Sequence, residues 1–239
     1  MKLVANVKDR LTNSLKALMI FYGLYAVLTI AMPFIASVLI AHESAEMTVM
    51  DVIFPSFIYS VTIGLIIVTQ RFNNSIQFGS SRKTIFVSYL INSTVVSAVL
   101  VLMNLIFSAI ISHLSWIQVH ASTIHTMYKV SDFSAGVLAF NFVIFLLATS
   151  IGTFSGLLFK RLKKITLMII GAACVFLPML LGYIFNILPK SSQLAVFDFL
   201  GTILGVPGPN IWAPITTIFV LAIILYLGSW LVIRRQPVK

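Results

Sequence analysis

The chain has 239 residues, of which 59% are hydrophobic and only 9% are charged, and its mean hydropathy is +1.06. This composition excludes a water-soluble domain, because a soluble surface needs roughly 25% charged residues. The net charge of +10 does not indicate nucleic-acid binding, since the cations are spread over short segments beside apolar stretches rather than gathered in one patch. The sequence therefore predicts an integral membrane protein.

Six apolar stretches without Asp, Glu, Lys, Arg or His are long enough to cross a hydrocarbon core of about 30 Å. Fourteen of the sixteen Lys and Arg residues lie on one side of them, in four short segments. Loops rich in Lys and Arg stay in the cytoplasm, so we expect a multi-pass plasma-membrane protein with both termini inside. The predicted spans are residues 17–41, 52–70, 84–112, 135–159, 165–188 and 211–233.

No catalytic, cofactor or metal site is indicated. Ion-driven transporters usually keep an ionisable residue inside the membrane, and a hydrolase needs a nucleophile with a base, but the predicted spans hold neither. The chain also lacks a Gly-x4-Gly-Lys-Ser/Thr phosphate loop, so the energy for any transport would come from a partner. The four histidines fall in predicted outer loops, and we interpret them as ordinary exposed side chains.

Residues 1–16 have the pattern of an amphipathic helix that precedes the transmembrane domain at 17–239. Apolar side chains recur at helical spacing, and charged and polar ones lie elsewhere around the helix. Such a helix is expected to lie in the cytoplasmic interface and to contact lipid headgroups. It would serve as a simple anchor or as a surface for a cytoplasmic partner. The apolar positions are Val4, Val7, Leu11, Leu15 and Leu18.

A short cationic segment at residues 71–83 joins the second and third predicted spans. Two aromatic residues and an isoleucine are expected at the cytoplasmic surface, where they suggest a docking site for another protein or a loop tucked onto headgroups. The glycine after them should end the second helix, and one of the two following serines should cap the third. The candidate contact residues are Phe72, Ile76, Phe78, Gly79, Ser80, Ser81, Arg82 and Lys83.

Two patterns stand out inside the predicted spans. Small residues form a stripe on the fourth span, which indicates close helix packing within one subunit or between subunits. Polar residues share one face of the third span, which indicates interhelical hydrogen bonds or a lining for a translocation pathway. The stripe is Ala148, Gly152 and Gly156, and the polar face is Ser93, Ser97, Asn104 and Ser108.

Residues 193–210 separate the fifth and sixth predicted spans. Their apolar part is about a dozen residues long, which is too short to cross the membrane, and the glycines and prolines at 205–210 force a turn. We therefore expect residues 194–204 to form a re-entrant helix in the outer leaflet. Asp198 and Gly201 within it are candidate residues of an exit gate.

This layout resembles the ABC-2 type permeases of ABC exporters. The run Phe78-Gly79-Ser80-Ser81-Arg82-Lys83 is similar to the Phe-Gly-x-Ser-Arg-Lys run of many Gram-positive permeases. These include exporters of antimicrobial or cytolytic peptides, such as the phenol-soluble modulin transporter. The fold expected from the resemblance is all-α, with six transmembrane helices, an N-terminal interfacial helix and a re-entrant outer helix before the sixth span.

The resemblance implies that residues 1–16 are the connecting helix and residues 71–83 the coupling helix that seats in a separate ATPase subunit. In that family ATP and Mg bind to the ATPase, and the pathway is formed with a second permease copy or a paralogue. The chain would then be a transport subunit and not an enzyme, with an amphipathic peptide or lipid-like substrate. The alternative is a membrane-embedded immunity or regulatory protein that binds a peptide without transporting it.

Overall fold

A computed structural model describes residues 2–31, 35, 47–49, 52–77, 79–112, 117–119, 128, 134–162, 165–166, 176, 179–180, 182–206, 208 and 210–235. Within these ranges the chain is helical apart from two short strands. The helices are α1 (Lys2–Ala26, continued as a π-helix over Val27–Ala31), α2 (Ile53–Gln77), α3 (Arg82–Ser112), α4 (Ala135–Arg161), α5 (Lys190–Ile203) and α6 (Trp212–Arg234), and the strands are β1 (Met47–Val49) and β2 (Ile117–Val119).

Four helices are long and apolar enough to cross a membrane, which agrees with the membrane protein predicted from composition. The apolar part of α2, Ile53–Thr69, is shorter. Half of the predicted span at 165–188 lies outside the described residues, which include a helical stretch at 182–187. All four histidines lie outside the described residues. The four candidate spans are Leu3–Thr29, Arg82–Ile110, Ala135–Arg161 and Trp212–Arg234.

The N-terminal segment is not a separate helix. Helix α1 runs without a break from Lys2 to Ala26, across the boundary predicted after residue 16, and the division into an interfacial and a transmembrane part stays a prediction. Neither Gly nor Pro occurs between residues 2 and 22 to end the helix. Within this helix Arg10 is buried in the bundle, whereas Val4 is 70% exposed.

The hydrophobic core lies among α1, α2, α3 and α4. Its most buried members include Leu18, Val68, Leu100 and Phe145. Helix α6 packs along α4 and touches α3, where the centroids of the Phe86 and Trp230 rings lie 5.2 Å apart. Helix α4 is therefore packed between α2 and α6 and also contacts α3.

The directions of the helices follow from their contacts. Helices α1 and α3 are parallel, because Arg10 contacts Tyr89 and Tyr22 contacts Asn104. The four residues that join α2 to α3 make α2 antiparallel to both. Helices α2, α4 and α6 all run in one direction. This order rests on the proximity of Val61 to Gly152, Leu65 to Gly156, Ile211 to Gly136 and Tyr226 to Thr149.

Because α4 and α6 point the same way, the chain between them returns from one end of the bundle to the other. The end that holds the start of α3 also holds the end of α6, where Arg82 Nη1 donates a hydrogen bond to the Arg234 carbonyl. The opposite end holds the strands, which pair in parallel with Met47 opposite Ile117.

Candidate functional site at the basic end of the bundle

The end formed by the first residues of α1 and α3 and the last residues of α2, α4 and α6 is cationic, and we call it the basic end. Its exposed cations come from four different helices or their immediate ends. Such a surface attracts acidic groups of a partner protein or of lipids. The exposed cations are Lys8, Lys83, Arg161, Arg234 and Arg235.

The turn between α2 and α3 has the geometry of a glycine helix stop. Gly79 adopts φ 70°, its N–H donates to the Ile76 carbonyl, and the Ser80 N–H donates to the Ser75 carbonyl. This pair of bonds is a Schellman motif, in which the left-handed residue is usually glycine. The predicted helix stop at Gly79 is therefore confirmed.

Ser81 caps the following helix. Its Oγ accepts a hydrogen bond from the Thr84 N–H at 3.2 Å, and its carbonyl accepts one from the Ile85 N–H at 3.0 Å. Of the two serines considered from sequence, Ser81 is thus the N-cap of α3. The segment at 71–83 consists of the last turns of α2, a four-residue turn and the first turn of α3, and it has no transverse helix of its own within the described residues.

Helix α1 is fastened to this hairpin by polar side chains one helical turn apart. Asn6 Nδ2 donates to Ser80 Oγ at 2.8 Å, and Arg10 Nη2 donates to Ser75 Oγ at 2.9 Å. The Arg10 guanidinium also lies over the Tyr89 ring, 4.1 Å from its centroid. A displacement of the α2–α3 turn would therefore move the start of α1 with it.

The hydrophobic residues of the segment at 71–83 were expected at the surface, and the structure describes two of the three. Phe72 is 1% exposed and belongs to the core, so its assignment to a docking surface is wrong. Its ring lies 5.3 Å from Lys160 Nζ, which places it between α2 and α4. Ile76 is half-buried and packs against the core, whereas Phe78 lies outside the described residues.

The remaining residues of the segment differ in accessibility. Gly79, Ser81 and Lys83 are exposed, Ser80 is buried, and Arg82 is half-buried beside α6. The sequence pattern could not predict which of these residues are exposed and which are buried. It gives the spacing of residue types along one helix, and burial depends on which other helix covers them. The described residues of this turn that a partner could contact are glycine, serine and lysine.

The small-residue stripe packs within the chain. A Cβ on Gly152 would lie 2.0 Å from the Val61 carbonyl oxygen, and one on Gly156 would lie 3.1 Å from that of Leu65. Ala148 is fully buried on the same helix. Helix α2 is therefore the neighbour of the stripe, which confirms the intrasubunit interpretation. The sequence analysis missed Gly64, the glycine of α2 that faces Thr149 and Gly152.

Asn104 on the polar face of α3 joins three helices. It accepts hydrogen bonds from the Tyr22 hydroxyl of α1 and, at 2.9 Å, from Ser56 Oγ of α2. All three side chains are buried. The interhelical hydrogen bonding predicted for this face is therefore confirmed for Asn104. The partner Tyr22 had no sequence signal beyond being an aromatic residue in a span.

The other members of the polar face have different surroundings. Ser93 is buried, and its hydroxyl donates a hydrogen bond to the Leu90 carbonyl of its own helix at 3.0 Å. The Tyr226 hydroxyl of α6 lies 3.2 Å from Thr149 Oγ1 of α4. Ser97 is fully buried, and Ser108 is half-buried. A pathway lining at these positions stays a prediction.

Helix α5 confirms that the segment before α6 is helical, although it starts at Lys190 rather than at 194. It ends in a second Schellman motif, in which Gly205 has φ 68° and the Val206 N–H donates to the Gly201 carbonyl. All its side chains are at least partly exposed, including Asp198. It is not among the candidate membrane-crossing helices.

The far end of the bundle holds the end of α5. The Tyr128 hydroxyl donates to the Leu204 carbonyl at 2.5 Å, and burial raises the pKa of Tyr128 above its usual value. The phenol is therefore a neutral donor at physiological pH. This contact links α5 to the segment before α4.

Within the described ranges, no group of three His, Cys, Asp or Glu side chains could hold a metal ion. Among its described residues the basic end offers hydrogen-bond donors and cations, which are groups that bind acidic partners. Comparison with known proteins finds no matching family model, no matching curated protein and no matching solved structure.

Proposed function

We propose that this chain is the permease subunit of an ATP-driven ABC exporter in the plasma membrane. ATP and Mg would bind to a separate ATPase subunit that docks on the basic end. The observation that carries the proposal is the fastening of α1 to the α2–α3 turn through the bonds of Asn6 and Arg10. These two segments correspond to the connecting and coupling elements of the family that the sequence resembles.

The proposed topology has six crossings and cytoplasmic termini. Four candidate spans, the apolar part of α2 and a return of the chain between α4 and α6 support it. The exposed cations at the basic end favour the cytoplasmic side for that end. A second permease copy or a paralogue would complete the pathway.

The coupling mechanism follows from the contacts of the turn. An ATPase that moves during its cycle would push on the exposed residues Gly79, Ser81 and Lys83. Because Ser80 is bonded to α1 and Ser81 caps α3, the push would reach three helices together. No covalent chemistry on the substrate is required.

At the other membrane face, α5 would be a re-entrant helix that borders the exit. It has 14 residues, which span only about 21 Å as a helix and cannot cross the hydrocarbon core. Asp198 would stay close to water at the interface, and replacing Gly201 by Trp should impair export while ATPase binding is retained. An amphipathic peptide or lipid-like molecule, able to enter from the membrane, is the proposed substrate.

The test is purification of the chain together with the proteins encoded beside it. A co-purifying ATPase whose hydrolysis rate rises in the complex would support the proposal. Phe78→Ala should then weaken the association by about 2 kcal/mol, the usual scale for an interface anchor, whereas the matched control Phe219→Ala on α6 should not. Purification without an ATPase would contradict the proposal and favour the peptide-binding immunity or regulatory protein.

A second variant separates coupling from docking. Ser80→Ala removes the acceptor of the Asn6 side chain and leaves Gly79 and the Ser81 cap in place. We expect this variant to bind the ATPase normally and to transport more slowly. Normal transport by Ser80→Ala would contradict the proposed mechanical link.

A further inference from the structure

Arg10 is a buried cation, and none of its contacts within the described residues is an acid. Its side chain is 1% exposed, and among the described residues its contacts are the Ser75 hydroxyl and the face of the Tyr89 ring. A guanidinium removed from water needs hydrogen-bond acceptors for its N–H groups, and a buried charge without a counter-ion is strongly unfavourable. These two contacts leave part of the guanidinium unsatisfied.

Two unsatisfied donors lie next to each other at this point. Arg10 Nη1 and the Tyr89 hydroxyl are both buried and have no hydrogen-bond partner in the part of the chain that the structure describes. They are neighbours, because the guanidinium stacks on the ring that carries the hydroxyl. Buried polar groups in proteins are nearly always satisfied, so a missing acceptor belongs between α1 and α3.

The surroundings favour an anion as that acceptor. Lys8 and Lys83 are exposed at the same end, and Arg10 itself carries a full charge. Arg10 lies one helical turn, about 6 Å, from Asn6, whose bond to Ser80 marks the level of the turn. Phosphate groups, whether on lipid headgroups or free in solution, are anions with which arginine pairs readily.

We propose that Arg10 and Tyr89 form an anion site that takes a phosphate group between α1 and α3. The group would be carried by an anionic lipid headgroup or by a free phosphate. One phosphate oxygen would accept from Nη1 and another from the phenol, in keeping with the affinity of arginine for phosphate. The Asn6–Ser80 bond closes the site from the basic end, so binding requires this bond to open. The proposal does not depend on the function proposed above.

The experiment uses the full chain in dodecyl maltoside micelles. Dioleoylphosphatidylglycerol is titrated by native mass spectrometry, and inorganic phosphate is titrated by calorimetry. We expect saturable binding of one phosphate-bearing molecule. Since hydrogen bonds to charged groups are the strong ones, Arg10→Gln should weaken it at least about tenfold. The matched control Arg161→Gln, an exposed cation at the same end, should leave binding within about twofold.

The outcomes decide both the site and the source of the phosphate. Binding of phosphate alone identifies a free anion as sufficient, whereas binding of the lipid only identifies a headgroup. The proposal is overturned if neither probe binds, which would leave water as the acceptor, or if both arginine variants lose affinity equally. Should Arg10→Gln fail to fold, Tyr89→Phe keeps the ring and removes only the hydroxyl. It should cost on the order of tenfold, and unchanged affinity would overturn the proposal.

Discussion

At the scale of single residues, the closest helix contact of the bundle depends on the absence of side chains. Gly152 and Gly64 let the backbones of α2 and α4 touch, with Thr149 and Val61 as the residues opposite. In a membrane, where lipid is as apolar as leucine, such close packing is a main source of helix association.

Gly152→Ala should therefore destabilise the protein. The new methyl group would lie 2.0 Å from the Val61 carbonyl oxygen, and a backbone atom cannot move aside cheaply. We expect a loss of about 1–3 kcal/mol, the usual range for overpacking. Thermal unfolding in micelles measures it. Gly23→Ala is the control, because nothing lies within 4 Å of its added Cβ. Equal melting temperatures for the two variants would contradict the packing.

The Asn104 side chain gives a second residue-scale prediction. Asn104→Ala removes the acceptor shared by Tyr22 and Ser56 and should cost about 1 kcal/mol, since interhelical hydrogen bonds in membranes contribute about 0.6 and at most about 1.7 kcal/mol. Ser108→Ala, one turn further along α3 and only half-buried, should cost less. Denaturation of both variants in the same micelles compares them, and a larger loss for Ser108→Ala would refute the assignment.

The sequence allowed a better prediction of which small residues pack between helices than of which large or charged residues are buried. The stripe of Gly152 and Gly156 could be recognised, because small residues at a spacing of four have one common use. The burial of Phe72 and Arg10 could not, because both depend on neighbouring helices that are distant in sequence. An arginine near a terminus is usually interpreted as solvated, and here Ser75 and Tyr89 replace the water.

At the scale of elements, two glycines end helices in the same way. Gly79 and Gly205 both have positive φ and both close Schellman motifs, one at each end of the bundle. The turn after α5 is tight, since a Cβ on Gly205 would lie 2.4 Å from the Asn210 carbonyl oxygen.

Gly205→Ala should loosen the end of α5. A left-handed conformation costs an L-residue about 1–2 kcal/mol, and the clash with Asn210 adds to it. Amide hydrogen exchange should become faster at Val206 and in the last turn of α5. Gly208→Ala is the control, because its added Cβ would meet nothing within 4 Å. Unchanged exchange in the Gly205 variant would show that the turn does not restrain α5.

Helix boundaries were predictable where a local stop signal exists. Gly79, Ser81 and Gly205 act within a few residues of themselves, so the sequence was sufficient there. The continuity of α1 through residue 16 was not predicted, because the change from an amphipathic to an apolar pattern has no effect on the backbone. Hydrogen bonds from Asn6 and Arg10 to the hairpin hold this part of α1 against the bundle.

At the scale of the whole molecule, the parallel directions of α4 and α6 constrain the path of the segment that joins them. A segment between them has to return from the basic end to the end where Tyr128 meets Leu204. The distribution of Lys and Arg indicates which end is cytoplasmic, and the helix directions are consistent with it.

Single-cysteine labelling tests the orientation. The chain has one cysteine, so Cys174→Ala provides the background. Ser81→Cys places a thiol in the exposed α2–α3 turn at the basic end, and Thr202→Cys places one on the exposed surface of α5 near the other end. Ser75 is unsuitable as a probe, because it is buried against Arg10.

An impermeant maleimide added to intact cells should label Thr202→Cys and leave Ser81→Cys unlabelled, if the basic end lies in the cytoplasm as we propose. Permeabilised cells are the control, in which both thiols should react and thereby show that each is accessible. Labelling of Ser81→Cys in intact cells would show that the basic end faces outward, so that the orientation of the protein is the reverse of the proposed one. It would also remove the basic end from the reach of a cytoplasmic ATPase, so the same measurement limits every proposal made for that surface.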